Sequence, residues 1–132
     1  MKRIPTLAIV LSVAATLAAP ASAGGQISFG FYASNRQETN AVQTALALYS
    51  LSRDVDGSAA IFQNGHGNAA ALGQFGHGNF GVIEQNGNNH DAALSQSGHG
   101  NSFGIFQSGV GTSAQVNQNG NQGAGLLFQY GW

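Results

Sequence analysis

From residue 63 onward the chain repeats a glutamine followed two positions later by a glycine, and the pair returns every eleven residues. The pairs are Gln63 with Gly65, Gln74 with Gly76, Gln85 with Gly87, Gln96 with Gly98, Gln107 with Gly109, Gln118 with Gly120 and Gln129 with Gly131. Seven copies without a slip mean that what one copy forms its neighbours form too, so this region is an array of stacked units rather than one irregular core. A period of eleven also suits a right-handed coiled coil. Gly65, Gly67, Gly76, Gly78, Gly98, Gly100, Gly109 and Gly111 argue against it, because each glycine costs about 1 kcal/mol relative to alanine inside a helix.

A period of 22 lies over the period of eleven. The residue before Gln is Phe62, Glu84, Phe106 and Phe128 in alternate copies, but Gly73, Ser95 and Asn117 in the others. Ala70, Ala92 and Ala114 likewise alternate with Gly81, Phe103 and Gly125. Two related half-repeats therefore make one unit.

Each half-repeat reads as a strand and a tight arc. Two residues before Gln stands an aliphatic, Ile61, Leu72, Ile83, Leu94, Ile105, Val116 or Leu127, and a spacing of two puts both on one face of a strand. Between strands lie Gly65-His66-Gly67-Asn68, Gly76-His77-Gly78-Asn79, Gly87-Asn88-Asn89-His90 and Gly98-His99-Gly100-Asn101, residues that permit φ > 0. The expected fold is all-β, a β-solenoid with strands of about five to six residues and coils stacked at about 4.8 Å, as in cross-β amyloid. Gln63, Gln85, Gln107 and Gln129 then form one inward column, and Gln74, Gln96 and Gln118 the facing one. Buried amides persist only when hydrogen-bonded, and a column satisfies them while fixing the register.

Gln63-x-Gly65-x-x-Asn68-x-Ala70-x-x-x-Gln74 resembles the repeat of the curlin family, the subunits of bacterial curli fibres. Two further copies run from Gln85 to Gln96 and from Gln107 to Gln118, with His90 and Thr112 at the family's Asn position. The family's Ser at the head of each repeat is not kept; Gly57, Asn79, Asn101 and Gly123 stand there. The resemblance spans residues 57–132, as coils 57–78, 79–100 and 101–122 and a partial coil 123–132. It implies a subunit, major or nucleating, that leaves a Gram-negative-type bacterium through an outer-membrane secretion pore. Such a subunit polymerises with its own kind and a partner curlin into extracellular fibres of biofilm matrix and adhesion. It also implies that Asn68, Asn79 and Asn101 join the Gln ladder.

The non-repeated residues fit export. Lys2 and Arg3, the apolar run Leu7 to Leu17 and Ala21-Ser22-Ala23 read as a signal peptide of residues 1–23, too short in its apolar stretch to span a bilayer. In residues 24–56, Ile27, Phe29 and Phe31 alternate as in a strand, and Val42, Ala45, Leu46 and Tyr49 have helical spacing. This segment is expected to address the secretion machinery or to cap the first coil.

Beyond residue 23 two arginines face five acidic groups, a net charge of −3, with no lysine, proline or cysteine. The lack of basic surface argues against nucleic-acid binding, and without disulfides stability must come from repetition or association. The strand Leu126-Leu127-Phe128-Gln129-Tyr130-Gly131-Trp132 reads as an uncapped edge, with Leu127, Gln129, Tyr130 and Trp132 expected to join the next subunit. Phe62, Phe106 and Phe128 form an outward stripe interrupted by Glu84. His66, His77, His90 and His99 read as turn residues rather than metal ligands, since no carboxylate completes a set. No nucleophile and base recur at a fixed spacing, so neither enzyme nor cofactor is expected. The competing reading is a soluble, exported solenoid that binds ice or another surface, for which an outward row of Thr is wanted and Thr112 alone is available.

Overall fold

The computed structural model describes residues 25–55 and 57–132, so the expected signal peptide lies outside the described residues. Strand β1 (Gln26–Tyr32) and helix α1 (Arg36–Ser52) precede the repeats. The repeats form β2 (Ala59–Asn64), β3 (Ala69–His77), β4 (Phe80–Asn88), β5 (Asp91–His99), β6 (Ser102–Val110), β7 (Ser113–Asn121) and β8 (Ala124–Gly131). Two sheets result, one ordered β1-β8-β6-β4-β2 and the other β3-β5-β7. The fold is a β-solenoid in which the chain alternates between the two sheets at each half-repeat.

Every repeat strand pairs in parallel with the strand one full coil away, and the inward aliphatics and glutamines fall like on like. Ile61 lies on Ile83 and Gln63 on Gln85, Leu72 on Leu94 and Gln74 on Gln96, Ile83 on Ile105 and Gln85 on Gln107. The strands are longer than the sequence suggests, nine residues in each of β3 to β7. Identical arcs stack on one another, so pairing continues through the glycines, as in Gly76 on Gly98 and His77 on His99. A Cβ placed on Gly65, Gly76, Gly87, Gly98 or Gly109 would stand only 1.8–2.0 Å from the carbonyl oxygen of the glycine one coil on. These positions also have φ between +86° and +127°, a region that L side chains rarely adopt.

Between the sheets Ile83, Ala92, Leu94, Phe103, Ile105, Ala114 and Val116 form the dry core. Phe103 explains why its half-repeats drop the alanine. In register with it stand Gly81 below and Gly125 above, and a Cβ on Gly125 would come within 2.4 Å of the Phe103 ring. One ring thus fills space that three alanines would otherwise divide.

The segment before the repeats adds a third layer. Asn35 caps α1 by accepting from Glu38 N, while the Glu38 carboxylate accepts from Ser34 N and Oγ. Thr39, Val42 and Leu46 are the buried face of α1, and Val42 and Leu46 pack with Val82, Phe62 and Phe106 on the outside of the larger sheet. The aromatic stripe expected to face solvent is therefore largely covered. Tyr49 meets Phe62 and Phe106 edge-on, at 6.4 and 5.3 Å between centroids, and Phe128, stacked on Phe106, stays 46% exposed.

The last strand also differs from expectation. Leu127, Gln129, Tyr130 and Trp132 are not on an open edge, because β1 runs antiparallel along β8 from Gln26↔Gly131 to Tyr32↔Gly125. Gly25 and Trp132 close the pair with mutual backbone bonds of 2.9 Å. Physically, β1 alternates as an edge strand must, and Phe31 and Leu126 both join the apolar layer under α1. The cap thus lies on the last coil rather than the first, where β2 and β3 have no further strand among the described residues.

Replacing Phe103, which is 1% exposed, with alanine leaves a cavity that the flanking glycines cannot fill. Phe103→Ala should cost about 3–5 kcal/mol in urea unfolding, while Phe75→Ala, on the exposed face, should stay within about 0.5 kcal/mol of the parent. Similar losses at both positions would refute the role given to Phe103.

Candidate functional site: amide ladders and the ends of the stack

The inward glutamines make two continuous chains of amide bonds. Gln63 Nε2 donates to Gln85 Oε1, Gln85 to Gln107 and Gln107 to Gln129, each at 2.8 Å. In the other sheet Gln74 donates to Gln96 at 2.8 Å and Gln96 to Gln118 at 2.9 Å. The second Nε2 hydrogen reaches a backbone carbonyl sixteen residues earlier. Gln74 bonds Ser58 O, Gln85 bonds Ala69 O, Gln96 bonds Phe80 O, Gln107 bonds Asp91 O and Gln129 bonds Ser113 O. Each of these side chains therefore ties its neighbour along the stack to the start of a strand in the opposite sheet. Gln85, Gln96 and Gln107 are at most 1% exposed, and among the described residues no buried side-chain polar atom lacks a partner.

The corners carry a second ladder. Asn68 Nδ2 donates to Gly87 O and its Oδ1 accepts from His90 N. Asn79 does the same with Gly98 O and Asn101 N, and Asn101 with Gly120 O and Gly123 N. His90 takes over part of this work where the repeat departs from Asn. Its Nε2 lies 3.2 Å from Asn86 O, which can only accept, so Nε2 carries the proton. Its Nδ1 then accepts from Thr112 N at 3.3 Å and lies 2.8 Å from Thr112 Oγ1. The bond to the carbonyl four residues earlier matches that of Asn79 to Phe75 O. The substitution at the Asn position was visible in the sequence, but that an imidazole keeps the bond to the carbonyl four residues earlier and the bond from the N–H one coil on was not.

The remaining histidines fall at the surface arcs. His77 and His99 stack with centroids 5.6 Å apart and rings within 5° of parallel, and among the described residues no group of three metal-binding side chains gathers. Gly65, Gly76, Gly87, Gly98, Gly109 and Gly120 all lie at corners with positive φ.

Glu84 does more than interrupt the aromatic stripe. Its carboxylate accepts from Tyr49 Oη, from Arg53 Nη2 at 2.6 Å and from Asn86 Nδ2 at 2.7 Å, so one carboxylate pins the end of α1 to the solenoid. Burial pushes its pKa up, but the bonds from Tyr49 and Asn86 and the charge of Arg53 outweigh burial and hold it below the usual carboxylate value. Burial raises the Tyr49 phenol, and the Glu84 carboxylate raises it further. The sequence held one signal for this contact, a lone acid within a hydrophobic column and a lone arginine just before the repeats.

A carboxylate with a depressed folded pKa stabilises the folded form above its unfolded pKa, and that contribution is lost as pH falls through the lowered folded value. Acidification towards about pH 3, below the ordinary glutamate range, should therefore loosen α1 at its C-terminal end. NMR resonances of Tyr49 and Leu46 should report the change, and Glu84→Gln should remove most of it. Equal acid sensitivity in the variant would assign the effect to another group, Glu38 at the other end of α1 being the one also held low.

Residues 77–109 match the family model of the curlin associated repeat. No curated protein and no solved structure matches the chain. The matched stretch covers β4, β5 and most of β6, which are the strands whose glutamines are fully enclosed by ladder partners on both sides. The repeat and the solenoid it builds are structural rather than enzymatic. Residues 77–109 thus carry a curlin associated repeat, and the strands on either side continue its register and fold.

Proposed function

We propose that this chain is the structural subunit of an extracellular, curli-like amyloid fibre, exported after loss of residues 1–23 and serving biofilm matrix and adhesion. Its coils stack on those of other copies as they stack on one another within the chain. The observation that carries this reading is the open first coil. β2 and β3 have no strand on their outer edges among the described residues, yet they carry the same inward Ile61 and Gln63, Leu72 and Gln74 that pair like on like inside the stack. An edge so matched to its own continuation is a template for another copy. Within the repeats only Glu84 and Asp91 are charged acids, with no lysine or proline to discourage pairing.

The family implies the rest of the pathway: a secretion pore in the outer membrane and a partner curlin that acts as nucleator or as major subunit. Among the described residues no helix is long and apolar enough to cross a membrane. The second reading, a soluble surface-binding solenoid, draws on the strand β1 that covers β8. It lacks a repeated binding row, since the outer face of β3, β5 and β7 presents Ala71, Gly73, Ala93, Ser95, Gln115 and Asn117.

Residues 24–132, diluted from denaturant, should form thioflavin-binding fibres with a cross-β repeat of about 4.8 Å after a lag. A monomer that stays soluble for days at micromolar concentration would overturn this function in favour of the second reading. Gln74→Ala with Gln96→Ala should slow assembly more than Ser95→Ala with Asn117→Ala, and equal rates would remove the ladder from the mechanism.

A further inference from the structure

The ladders have a direction. In Gln74, Gln85, Gln96, Gln107 and Gln129 the bond to a backbone carbonyl identifies the nitrogen, because an amide oxygen there would face another oxygen. Every ladder bond then runs from Nε2 of one coil to Oε1 of the next towards the C-terminal end. The two ends of the described stack are chemically different. The first coil presents acceptors: Gln63 Oε1 has no partner among the described residues, and Gln74 Oε1 only a 3.4 Å contact with Ser58 Oγ. The far end presents donors: Gln118 Nε2 has no partner among the described residues, and Gln129 Nε2 is held by Ser28 Oγ of β1 at 3.0 Å.

The far end is also stepped. β7 and β8 are successive half-coils in opposite sheets, so β8 stands half a coil beyond β7. β2 and β3 form the same step at the first coil, with β3 half a coil beyond β2. A second copy placed without rotation would put its β2 on β8 and leave a gap in the other sheet between β7 and its β3. Turned by half a revolution about the stacking axis, its β2 seats on β7 and its β3 on β8, and both sheets continue without a gap. The eleven-residue period permits this, since Ile61 and Gln63 then meet Val116 and Gln118, and Leu72 and Gln74 meet Leu127 and Gln129.

Resting on the fibre reading above, we infer that copies of this chain join head to tail with a half-turn, the β3 of the incoming copy replacing β1 on β8. Gln118 Nε2 donates to Gln63 Oε1 of the incoming copy, and Gln129 Nε2 leaves Ser28 for Gln74 Oε1. β1 is the one strand among those described that pairs antiparallel, and it occupies the position that the joint needs. It is therefore a removable guard on the donor end. At β7 the guard has a single hydrogen bond among the described residues, from Ser113 N to Gln26 Oε1 at 3.1 Å.

The chain has no cysteine, so single thiols report the joint directly. Outward Asn64 lies one residue past Gln63, as Asn119 does past Gln118 and Tyr130 past Gln129. Adjacent strands bring in-register Cα atoms to about 4.8 Å, within the roughly 4.4–6.8 Å of a disulfide. When fibres are grown from paired single-cysteine chains and oxidised, Asn64→Cys should cross-link with Asn119→Cys and not with Tyr130→Cys. The reverse would overturn the half-turn and leave the fibre reading standing; Asn64→Cys dimers alone would overturn head-to-tail order. Failure of every mixture and of the parent chain to form fibres would instead overturn the proposed function. A disulfide between Ile27→Cys and Tyr130→Cys, which are paired across β1 and β8, should stop elongation until reduced. Growth of the oxidised chain at the parent rate would refute displacement of β1.

Discussion

The bond from one glutamine amide to the next, together with its companion to a backbone carbonyl of the facing sheet, is what the rest of this solenoid depends on. An amide buried in a dry core is costly unless every polar atom is paired. Here Gln85, for example, accepts from Gln63 and donates to both Gln107 and Ala69 O. A shift of register by one residue would turn the amides outward and the polar outer residues inward. The aliphatic neighbours supply the driving force for collapse, but collapse alone does not choose a register. The ladder does.

Glycine at the corners follows from the same stacking. The arcs approach so closely that the carbonyl of one glycine occupies the place where the Cβ of its counterpart would be. The corner carboxamides use that proximity, reaching across one coil to the next with donor and acceptor at once. His90 keeps the accepting half of this arrangement with a different atom, its Nδ1 taking the N–H of Thr112 one coil on.

The repeat, its two-sheet division and the inward set of residues were legible in the sequence because period-two alternation and a fixed spacing are local signals. Nine-residue strands were not, because pairing through the arcs arises only once identical arcs lie on one another. The contact of Tyr49 and Arg53 with Glu84, and that of β1 with β8, join segments far apart in sequence that lie outside the period. Alternation in Ile27, Phe29 and Phe31 identified a strand, but nothing in it named a partner or an antiparallel direction. The edge expected to be open is therefore covered by a strand of the chain itself.

Among the described residues that cover lies at one end, and the direction of the ladder makes one end enough. In the proposed joint each contact between copies needs a donor end and an acceptor end. Two first coils meeting face to face would set amide oxygen against amide oxygen along both columns, so the first coil is poorly matched to its own kind. Guarding the donor end of every copy then withholds one partner from every possible joint. β1 is suited to this, being short enough to leave and bound along an edge where an incoming parallel strand restores the amide bond that Ser28 now supplies. The strand before the repeats is thus tied to them by the same chemistry that links coil to coil, with a serine hydroxyl in the place of the next glutamine.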